Sequence, residues 1–175
     1  MIDNSKIKIL IDKDNLNAKI KELGEKITID YSGKYPVLIA ILKGSFIFVA
    51  DICRHIKIPV MFDFMAVSSY GDSRVSSGIV RITKDLDTNI ENKDVIVIED
   101  IIDSGRTLNY LIKNLEARNP KSLEVCALLD KNVPRKTANF IKYKGFDIPN
   151  KYVIGYGLDI GEKYRNLPYI GYIED

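Results

Sequence analysis

Cysteine is scarce in this sequence, and the little that is present has no metal-binding or disulfide pattern. Only two of the 175 residues are cysteine. Cys53 and Cys126 each lie inside an apolar run, and neither belongs to a CxxC or Cys/His spacing. We therefore expect two buried, reduced thiols rather than a disulfide framework or a cysteine-based metal site.

A dominant charge and long hydrophobic runs are also missing. The chain has 26 Lys and Arg residues against 24 Asp and Glu residues, a formal net charge of +2. This is too small to make nucleic acid or an anionic membrane the default partner. No apolar run approaches the roughly 18 residues of a membrane span, and the first residues lack the basic and then apolar layout of a secretory signal. We expect a soluble, cytoplasmic protein without nucleic-acid or membrane partners.

The residues that are present are ample for one core. Apolar residues make up 46% of the chain and charged residues 29%, which are ordinary values for a globular protein and exclude intrinsic disorder. The length and the absence of internal repeats predict that residues 1–175 form a single domain. After residue 130 the pattern becomes shorter and richer in Gly, Pro and aromatic residues. We expect a small hood at one end of the domain, formed by parts of the N-terminal segment and by residues after 130.

The apolar pattern alternates between helix and strand. Residues 12–29 have the helical apolar spacing of three and four, and residues 37–42 form a continuous apolar run that is typical of a buried parallel strand. The remaining elements follow in the same order: a helix from Phe46, a strand at 60–67, a strand at 94–98, a helix ending at Asn119-Pro120 and a strand at 123–129. This order predicts the α/β class, with a central parallel sheet flanked by helices.

Chemistry is concentrated in the segment after residue 98, which we expect to be a loop from Glu99 to Gly105. The stretch Asp103-Ser104-Gly105-Arg106-Thr107 offers successive backbone N–H donors and two hydroxyl groups at the start of a helix, a combination that suits a phosphate monoester. However, Glu99, Asp100 and Asp103 would repel a bare polyphosphate. The sequence also contains no Walker Gly-rich motif.

A phosphorylated sugar resolves this conflict. Carboxylates accept hydrogen bonds from ribose hydroxyls and hold Mg²⁺ through its waters, so acids beside a phosphate cradle predict a ligand with a phosphate, vicinal hydroxyls and a Mg²⁺-bound anion. The alternative is that these acids only cap the helix and interact with its dipole.

These residues resemble a known family. Residues 95–108 are similar to the phosphoribosyl-pyrophosphate (PRPP) signature of the type I phosphoribosyltransferases and, within them, of the hypoxanthine-guanine phosphoribosyltransferases. Further motifs recur in the family's order: Leu42-Lys43-Gly44-Ser45, Ser68-Ser69-Tyr70-Gly71, Lys131 ahead of Pro134-Arg135, residues 153–159, and Glu162-Lys163-Tyr164-Arg165. The resemblance covers roughly residues 37–171, most of the chain.

The resemblance implies transfer of phosphoribosyl from PRPP to hypoxanthine or guanine, giving IMP or GMP and pyrophosphate. It implies that Glu99 and Asp100 hold the ribose hydroxyls, that residues 103–107 cradle the 5′-phosphate, and that Asp103 is a candidate general base toward N7 of the purine. Lys43, Gly44 and Arg165 would meet the pyrophosphate. Family members carry a non-proline cis peptide near Lys43-Gly44. Mg²⁺ is the implied cofactor, with Glu99, Asp100 and Asp159 as its carboxylates.

The same resemblance assigns recognition of the base to the C-terminal part. Tyr152 would stack on the purine, Lys131 would donate to its 6-oxo group, and the backbone of Val153 would pair with N1 and O6. Asp159 belongs to the same purine pocket. Ser69 and Tyr70 begin what resembles the family's mobile loop, and a passive loop is the alternative.

The resemblance is compatible with more than one assembly and substrate preference. The implied assembly is a homodimer or a homotetramer, and the substrates are small molecules. A preference for hypoxanthine, use of xanthine, or a PRPP-sensing regulator that binds nucleic acid are the alternatives. The sequence departs from many relatives at Ile160-Gly161, where an aromatic residue usually follows the aspartate.

Overall fold

The computed structural model describes residues 6–69, 80–133 and 141–174. Its elements are β1 (Ile7–Ile11), α1 (Lys13–Asp30), β2 (Val37–Leu42), α2 (Phe46–His55), β3 (Met61–Ser69), β4 (Val80–Lys84), β5 (Asp94–Ile102), α3 (Arg106–Glu116), β6 (Ser122–Lys131), β7 (Ile141–Ile148), β8 (Val153–Ile154) and β9 (Ile170–Ile173). No helix in these ranges is long and apolar enough to cross a membrane.

A six-stranded sheet forms the centre of the molecule. Its order is β4-β3-β2-β5-β6-β7. The neighbours from β3 to β7 all pair in parallel, and β4 joins β3 at the edge in the antiparallel direction. Parallel neighbours need crossover connections, and α2 and α3 supply two of them. The predicted α/β class with a central parallel sheet is confirmed.

The central strands are buried because both faces of the sheet are covered. In β2, Leu38 and Ala40 belong to the hydrophobic core that includes α1 and α2, whereas Val37, Ile39 and Ile41 belong to the core that includes α3. This alternation follows from the two-residue period of a strand. It explains why β2 is a continuous apolar run instead of an alternating one.

The first helix starts and ends close to the predicted positions. Asp12 is its N-cap, and its carboxylate accepts a hydrogen bond from the backbone N–H of Asn15 at 2.8 Å. The buried face comprises Leu16, Ile20, Leu23 and Ile27, as the spacing predicts.

A second, three-stranded sheet has the order β1-β9-β8. Ile7 pairs with Ile173, and Val153 pairs with Tyr172, both in antiparallel register. The chain after residue 130 is therefore divided between the two sheets, because β7 extends the large sheet while β8 and β9 belong to the small one.

Two local predictions about where strands end need correction. Glu99 and Asp100 lie inside β5, which continues to Ile102 because its backbone stays paired with β6 as far as Asp130. Ser68 and Ser69 end β3 and pair with β4, so the predicted insert starts later. Tyr70 and the rest of the predicted mobile loop, which ends at residue 78, lie outside the described residues.

The two thiols also differ from each other. Cys126 is buried as expected, but Cys53 is only half-buried, and its Sγ contacts the Ala50 carbonyl at 3.2 Å. Both are free thiols.

A buried carboxylate, that of Asp63 in β3, fixes the connection after β4. Its oxygens accept hydrogen bonds from the backbone N–H groups of Phe64 at 2.7 Å, Asp87 at 3.0 Å and Thr88 at 2.7 Å, and Lys84 lies 3.8 Å away. Burial alone would raise the pKa of Asp63, but these donors outweigh burial and hold the pKa below its ordinary value.

We expect Asp63→Asn to lower the free energy of unfolding at pH 7 by about 1–3 kcal/mol, because a charge-assisted acceptor for buried donors is lost. The folded-state pKa lies below the unfolded-state value of about 3.9. Ionised Asp63 therefore stabilises the fold above that value, and this contribution is lost as the pH falls through the folded-state pKa. Urea unfolding at several pH values measures both effects.

The control for this prediction is Asp87→Asn, since the Asp87 carboxylate is exposed and contacts only Lys84 among the described side chains. This variant should leave stability nearly unchanged. A difference between wild type and Asp63→Asn that stayed constant down to pH 3 would contradict the assignment of the pH dependence to Asp63.

Candidate active site

The candidate site lies at the carboxyl ends of the parallel strands, where ligands bind in open α/β sheets. A cavity of about 510 Å³ opens there beside the ends of β2, β3 and β5. Its walls include seven of the residues selected from the sequence: Lys43, Gly44, Glu99, Asp100, Thr107, Asp159 and Arg165. The fold therefore gathers into one cavity side chains that are more than 100 residues apart in the chain.

A smaller cavity of about 100 Å³ adjoins the large one and shares Glu99, Ile101 and Thr107 with it. Asp103, Ser104 and Gly105 complete its wall between the end of β5 and the start of α3. Gly105 has a left-handed backbone (φ +74°) and is the N-cap of α3, so the chain changes direction here and enters the helix. Helix-start N–H groups and two hydroxyls around a small cavity can bind a phosphate group. Arg106, the first residue of α3, has an exposed side chain.

Two acids lie between this cradle and the rest of the cavity. Glu99 is 7% exposed. Burial, and then the neighbouring Asp100 carboxylate, raises the pKa of Glu99 well above its ordinary value. Burial also raises the pKa of Asp100, although the backbone N–H of Ile101 donates to it at 2.8 Å. Two adjacent desolvated carboxylates are a donor set that favours a bound cation.

The loop after β2 packs directly on one of these acids. The peptide bond between Leu42 and Lys43 is cis, one residue earlier than Lys43-Gly44. A Cβ on Gly44 would lie 1.5 Å from Asp100 Oδ2, so this position has room only for glycine. On the other side, a Cβ on Gly157 (φ +100°) would lie 2.0 Å from the Gly44 carbonyl oxygen. The site is therefore closely packed at Gly44 from two directions.

Arg165 joins the segment after β8 to the cavity. Its guanidinium donates to the Gly157 carbonyl at 2.7 Å and contacts Asp159 Oδ1 at 2.8 Å. The Asp159 carboxylate also accepts from the backbone N–H of Glu162 at 2.8 Å. Among the described residues, no three His, Cys, Asp or Glu side chains form a metal-binding cluster. Asp159 thus lines the same cavity as Glu99 and Asp100 but is paired with Arg165.

The candidate base and the candidate 6-oxo donor contact each other. Lys131 Nζ donates to Asp103 Oδ2 at 2.9 Å. The lysine side chain is only 11% exposed, while that of Asp103 is 59% exposed. The structure therefore presents a carboxylate acceptor and an ammonium donor side by side. Pro134 and Arg135, which follow Lys131 in the family motif, lie outside the described residues.

The candidate stacking residue is open to a ligand. Tyr152 is 61% exposed, and its hydroxyl donates to the Asp159 carbonyl at 2.9 Å. The next residue, Val153, is buried in β8. Because the ring is exposed and its hydroxyl is held in place, a planar ligand can stack on the ring face without any rearrangement of the hydrophobic core.

Two contacts of the site have no counterpart in the roles inferred from the sequence. Glu162 accepts from Lys43 at 3.0 Å and lies 3.4 Å from Arg165. Hydrogen bonds from these two cations lower the pKa of Glu162, and the contribution of Lys43 is the larger one. The buried Tyr156 hydroxyl donates to Asp51 of α2 at 2.5 Å. Nothing in the local pattern signals the second contact, because Asp51 is only a polar residue in an apolar helix.

Comparison with known proteins agrees with this geometry. The family model described as "Phosphoribosyl transferase domain" matches residues 8–160. Hypoxanthine-guanine phosphoribosyltransferase of Bacillus subtilis is 48% identical over 167 residues, which cover 95% of this chain and 93% of the relative. Hypoxanthine phosphoribosyltransferase of Buchnera aphidicola is 50% identical over 167 residues, which cover 94% of each chain.

The fold matches solved structures as well. The crystal structure of a hypoxanthine phosphoribosyltransferase from Staphylococcus aureus superimposes with a TM-score of 0.92 at 45% sequence identity, over 97% of this chain and 93% of that chain. From the matched length, the identity and the shared fold, it follows that the chain belongs to the phosphoribosyltransferase family, in the branch of the hypoxanthine-guanine phosphoribosyltransferases.

Proposed function

We propose that the protein is a purine-salvage enzyme that transfers the 5-phosphoribosyl group of PRPP to hypoxanthine or guanine, producing IMP or GMP and pyrophosphate. One observation carries the proposal. Two adjoining cavities hold a phosphate cradle at residues 103–107, the acids Glu99 and Asp100 in the middle, and the cations Lys43 and Arg165 beyond them. PRPP has the same order of groups: a 5′-phosphate, ribose hydroxyls and a pyrophosphate.

The acids in the middle of the site have two tasks in this proposal. Glu99 and Asp100 accept hydrogen bonds from the ribose hydroxyls. Their burial and raised pKa values also support a site for Mg²⁺, which takes one or two carboxylates and keeps water and substrate oxygens as its other ligands. When bound, Mg²⁺ would neutralise negative charge on the pyrophosphate oxygens. Asp159 would support the ion through water, since it contacts Arg165.

The pair formed by Asp103 and Lys131 matches one edge of a 6-oxopurine. A carboxylate accepts the N7 proton, and the ammonium group beside it donates to O6, which lies on the same edge of the purine as N7. Adenine carries an amino group at the same position, so its N–H donors would face the Lys131 donor. Lys131 would then lack the O6 acceptor that a 6-oxopurine provides. Leaving buried polar groups without partners is an effective way to reject an analogue.

In the chemical step the bond between C1 of the ribose and the pyrophosphate oxygen breaks, and a bond from C1 to N9 of the purine forms. Positive charge develops on the sugar while the pyrophosphate leaves with its electron pair. Lys43 and Arg165 stabilise the leaving group. Asp103 accepts the N7 proton, so N9 keeps the electron density with which it attacks.

The proposal includes a cellular and structural setting. The two free thiols agree with a reducing compartment, here the cytoplasm. The small sheet would serve as a hood, because the segment that contains Tyr152, Val153 and Asp159 runs through it. We propose a homodimer or a homotetramer. The relatives are named for hypoxanthine alone or for hypoxanthine and guanine. The experiment that follows therefore measures which substituents at the purine 2-position are accepted.

The decisive experiment offers hypoxanthine, guanine, xanthine and adenine in parallel, with PRPP and Mg²⁺, and follows nucleotide formation. We expect turnover with hypoxanthine and guanine and none with adenine, because the Lys131 donor requires a 6-oxo group. Turnover with xanthine would extend the substrate class. PRPP binding without turnover of any base would contradict the proposal and favour a PRPP-sensing regulator, whose nucleic-acid affinity should be salt-dependent.

Asp103→Asn tests the general base. We expect kcat to fall by about 10²- to 10⁴-fold, because that is the usual contribution of a positioned base, while PRPP binding is largely preserved. Steady-state kinetics and calorimetric PRPP binding measure the two quantities. Asp147→Asn is the matched control, since Asp147 is also an exposed carboxylate that accepts from a lysine, Lys144, at 2.6 Å. Unchanged turnover in Asp103→Asn would remove Asp103 from the base role.

A pair of variants at Tyr152 tests purine stacking. Tyr152→Ala should lower kcat/KM for hypoxanthine by about 5- to 150-fold, because stacking of a base on an aromatic ring contributes about 1–3 kcal/mol. Tyr152→Phe keeps the ring and loses only the hydrogen bond to Asp159, so it should retain most of the activity. The KM for PRPP should change little in both variants. Equal loss in the two variants would show that the hydroxyl, and not the ring face, matters.

A further inference from the structure

Glu162 stands between the two cations that the proposed function assigns to pyrophosphate. Its Oε2 atom lies 3.0 Å from Lys43 Nζ and 3.4 Å from a terminal nitrogen of Arg165. One carboxylate oxygen therefore contacts both cations at once. Glu162 lines the large cavity, and the proposed reaction gives it no task.

The backbone holds Glu162 in an unusual conformation for this residue type. Ile160 and Lys163 exchange two backbone hydrogen bonds, of 3.1 and 3.2 Å, across the turn. The two residues between them, Gly161 and Glu162, have φ values of +59° and +63°. This is the pattern of a type I′ turn, in which Asn and Gly are preferred. A non-glycine residue at positive φ is uncommon, and such residues often mark functional sites.

The turn is also fixed from outside, because Asp159 accepts from the Glu162 backbone N–H at 2.8 Å. The backbone is thus held while the Glu162 side chain, 66% exposed, has room to move. Glu162, a residue type that is unfavourable at positive φ, therefore occupies the tip of the turn, where its carboxylate contacts Lys43 and Arg165.

From these contacts we propose that Glu162 is a built-in competitor of pyrophosphate. In the ligand-free protein its carboxylate occupies the position between Lys43 and Arg165. PRPP displaces it on binding, and it returns to the cations as pyrophosphate leaves. The inference rests on the proposed function, because that function assigns Lys43 and Arg165 to the pyrophosphate group.

The guanidinium of Arg165 and the backbone of Lys43 are held by contacts that do not involve Glu162. Arg165 is still held by the Gly157 carbonyl at 2.7 Å and by Asp159 at 2.8 Å. Lys43 lies in the loop that packs on Asp100 through Gly44. Displacing Glu162 therefore frees positive charge without dismantling the site. Since the side chains of Lys43 and Glu162 are 68% and 66% exposed, the competition is weak and a multiply charged ligand can overcome it.

The test is calorimetric binding of inorganic pyrophosphate, with Mg²⁺ and at low ionic strength, to wild type and Glu162→Gln. We expect the variant to bind pyrophosphate about two- to fivefold more tightly, which corresponds to the usual strength of an exposed ion pair. The difference should shrink at about 1 M salt, where charges are screened.

Two further variants make the result specific. Glu162→Asn removes the negative charge and shortens the side chain, so that it no longer extends to the two cations. Asn tolerates positive φ, so this variant should fold and also bind pyrophosphate more tightly. Glu22→Gln is the matched control, because Glu22 contacts Lys19 on α1 at 2.5 Å and has a side chain 62% exposed. It should bind pyrophosphate as wild type does.

Unchanged or weaker pyrophosphate binding in both Glu162 variants, together with normal hypoxanthine turnover in wild type, would overturn the inference and leave the proposed function intact. Such a result would mean that Glu162 positions Lys43 for the ligand. If wild type turned over no base, the proposed function would fail, and this inference would fail with it.

Discussion

The site depends on the close packing of Gly44 between Asp100 and Gly157. A side-chain carbon on either glycine would overlap a carboxylate oxygen or a carbonyl oxygen, at 1.5 and 2.0 Å. Three segments far apart in the chain therefore meet where neither glycine carries a side chain: the loop after β2, the end of β5, and the turn after β8. This contact helps to keep Lys43, the acids Glu99 and Asp100, and Arg165 around one cavity.

A common feature of the site is that three of the cations assigned to substrate already contact a carboxylate. Lys43 contacts Glu162, Arg165 contacts Asp159, and Lys131 contacts Asp103. Binding of an anionic substrate is therefore an exchange of ion pairs. In such an exchange the gain in electrostatic energy is small, and selectivity depends on how well the ligand matches the geometry of the donors. Glu99 and Asp100 differ, because burial raises the pKa of both, which suits a site completed by a cation.

The sequence predicted those parts of the structure that depend on local pattern. Helix α1 and strand β2 have periodic or continuous apolar runs, and their bounds were predicted within one residue. Features that depend on distant partners were not predicted. Glu99 and Asp100 stay in β5 because β6 pairs with them, and β1 forms because residues 170–173 return beside it. For the site, residue types and order indicated the chemistry of the ligand, since acids beside a phosphate cradle fit few molecules.

The pairing of the charged residues was beyond the reach of the sequence, because it is decided across long stretches of chain. Lys43 and Glu162 are 119 residues apart, and Tyr156 and Asp51 are 105 apart. A family motif assigns each side chain to a ligand atom but does not say which neighbour holds it when no ligand is bound. The buried hydrogen bond from Tyr156 to Asp51 illustrates the consequence: it ties the turn that carries Gly157 to helix α2, which begins just after the Lys43 loop. The Lys43 loop and the turn that leads to Arg165 are thus connected through the protein interior as well as through Gly44.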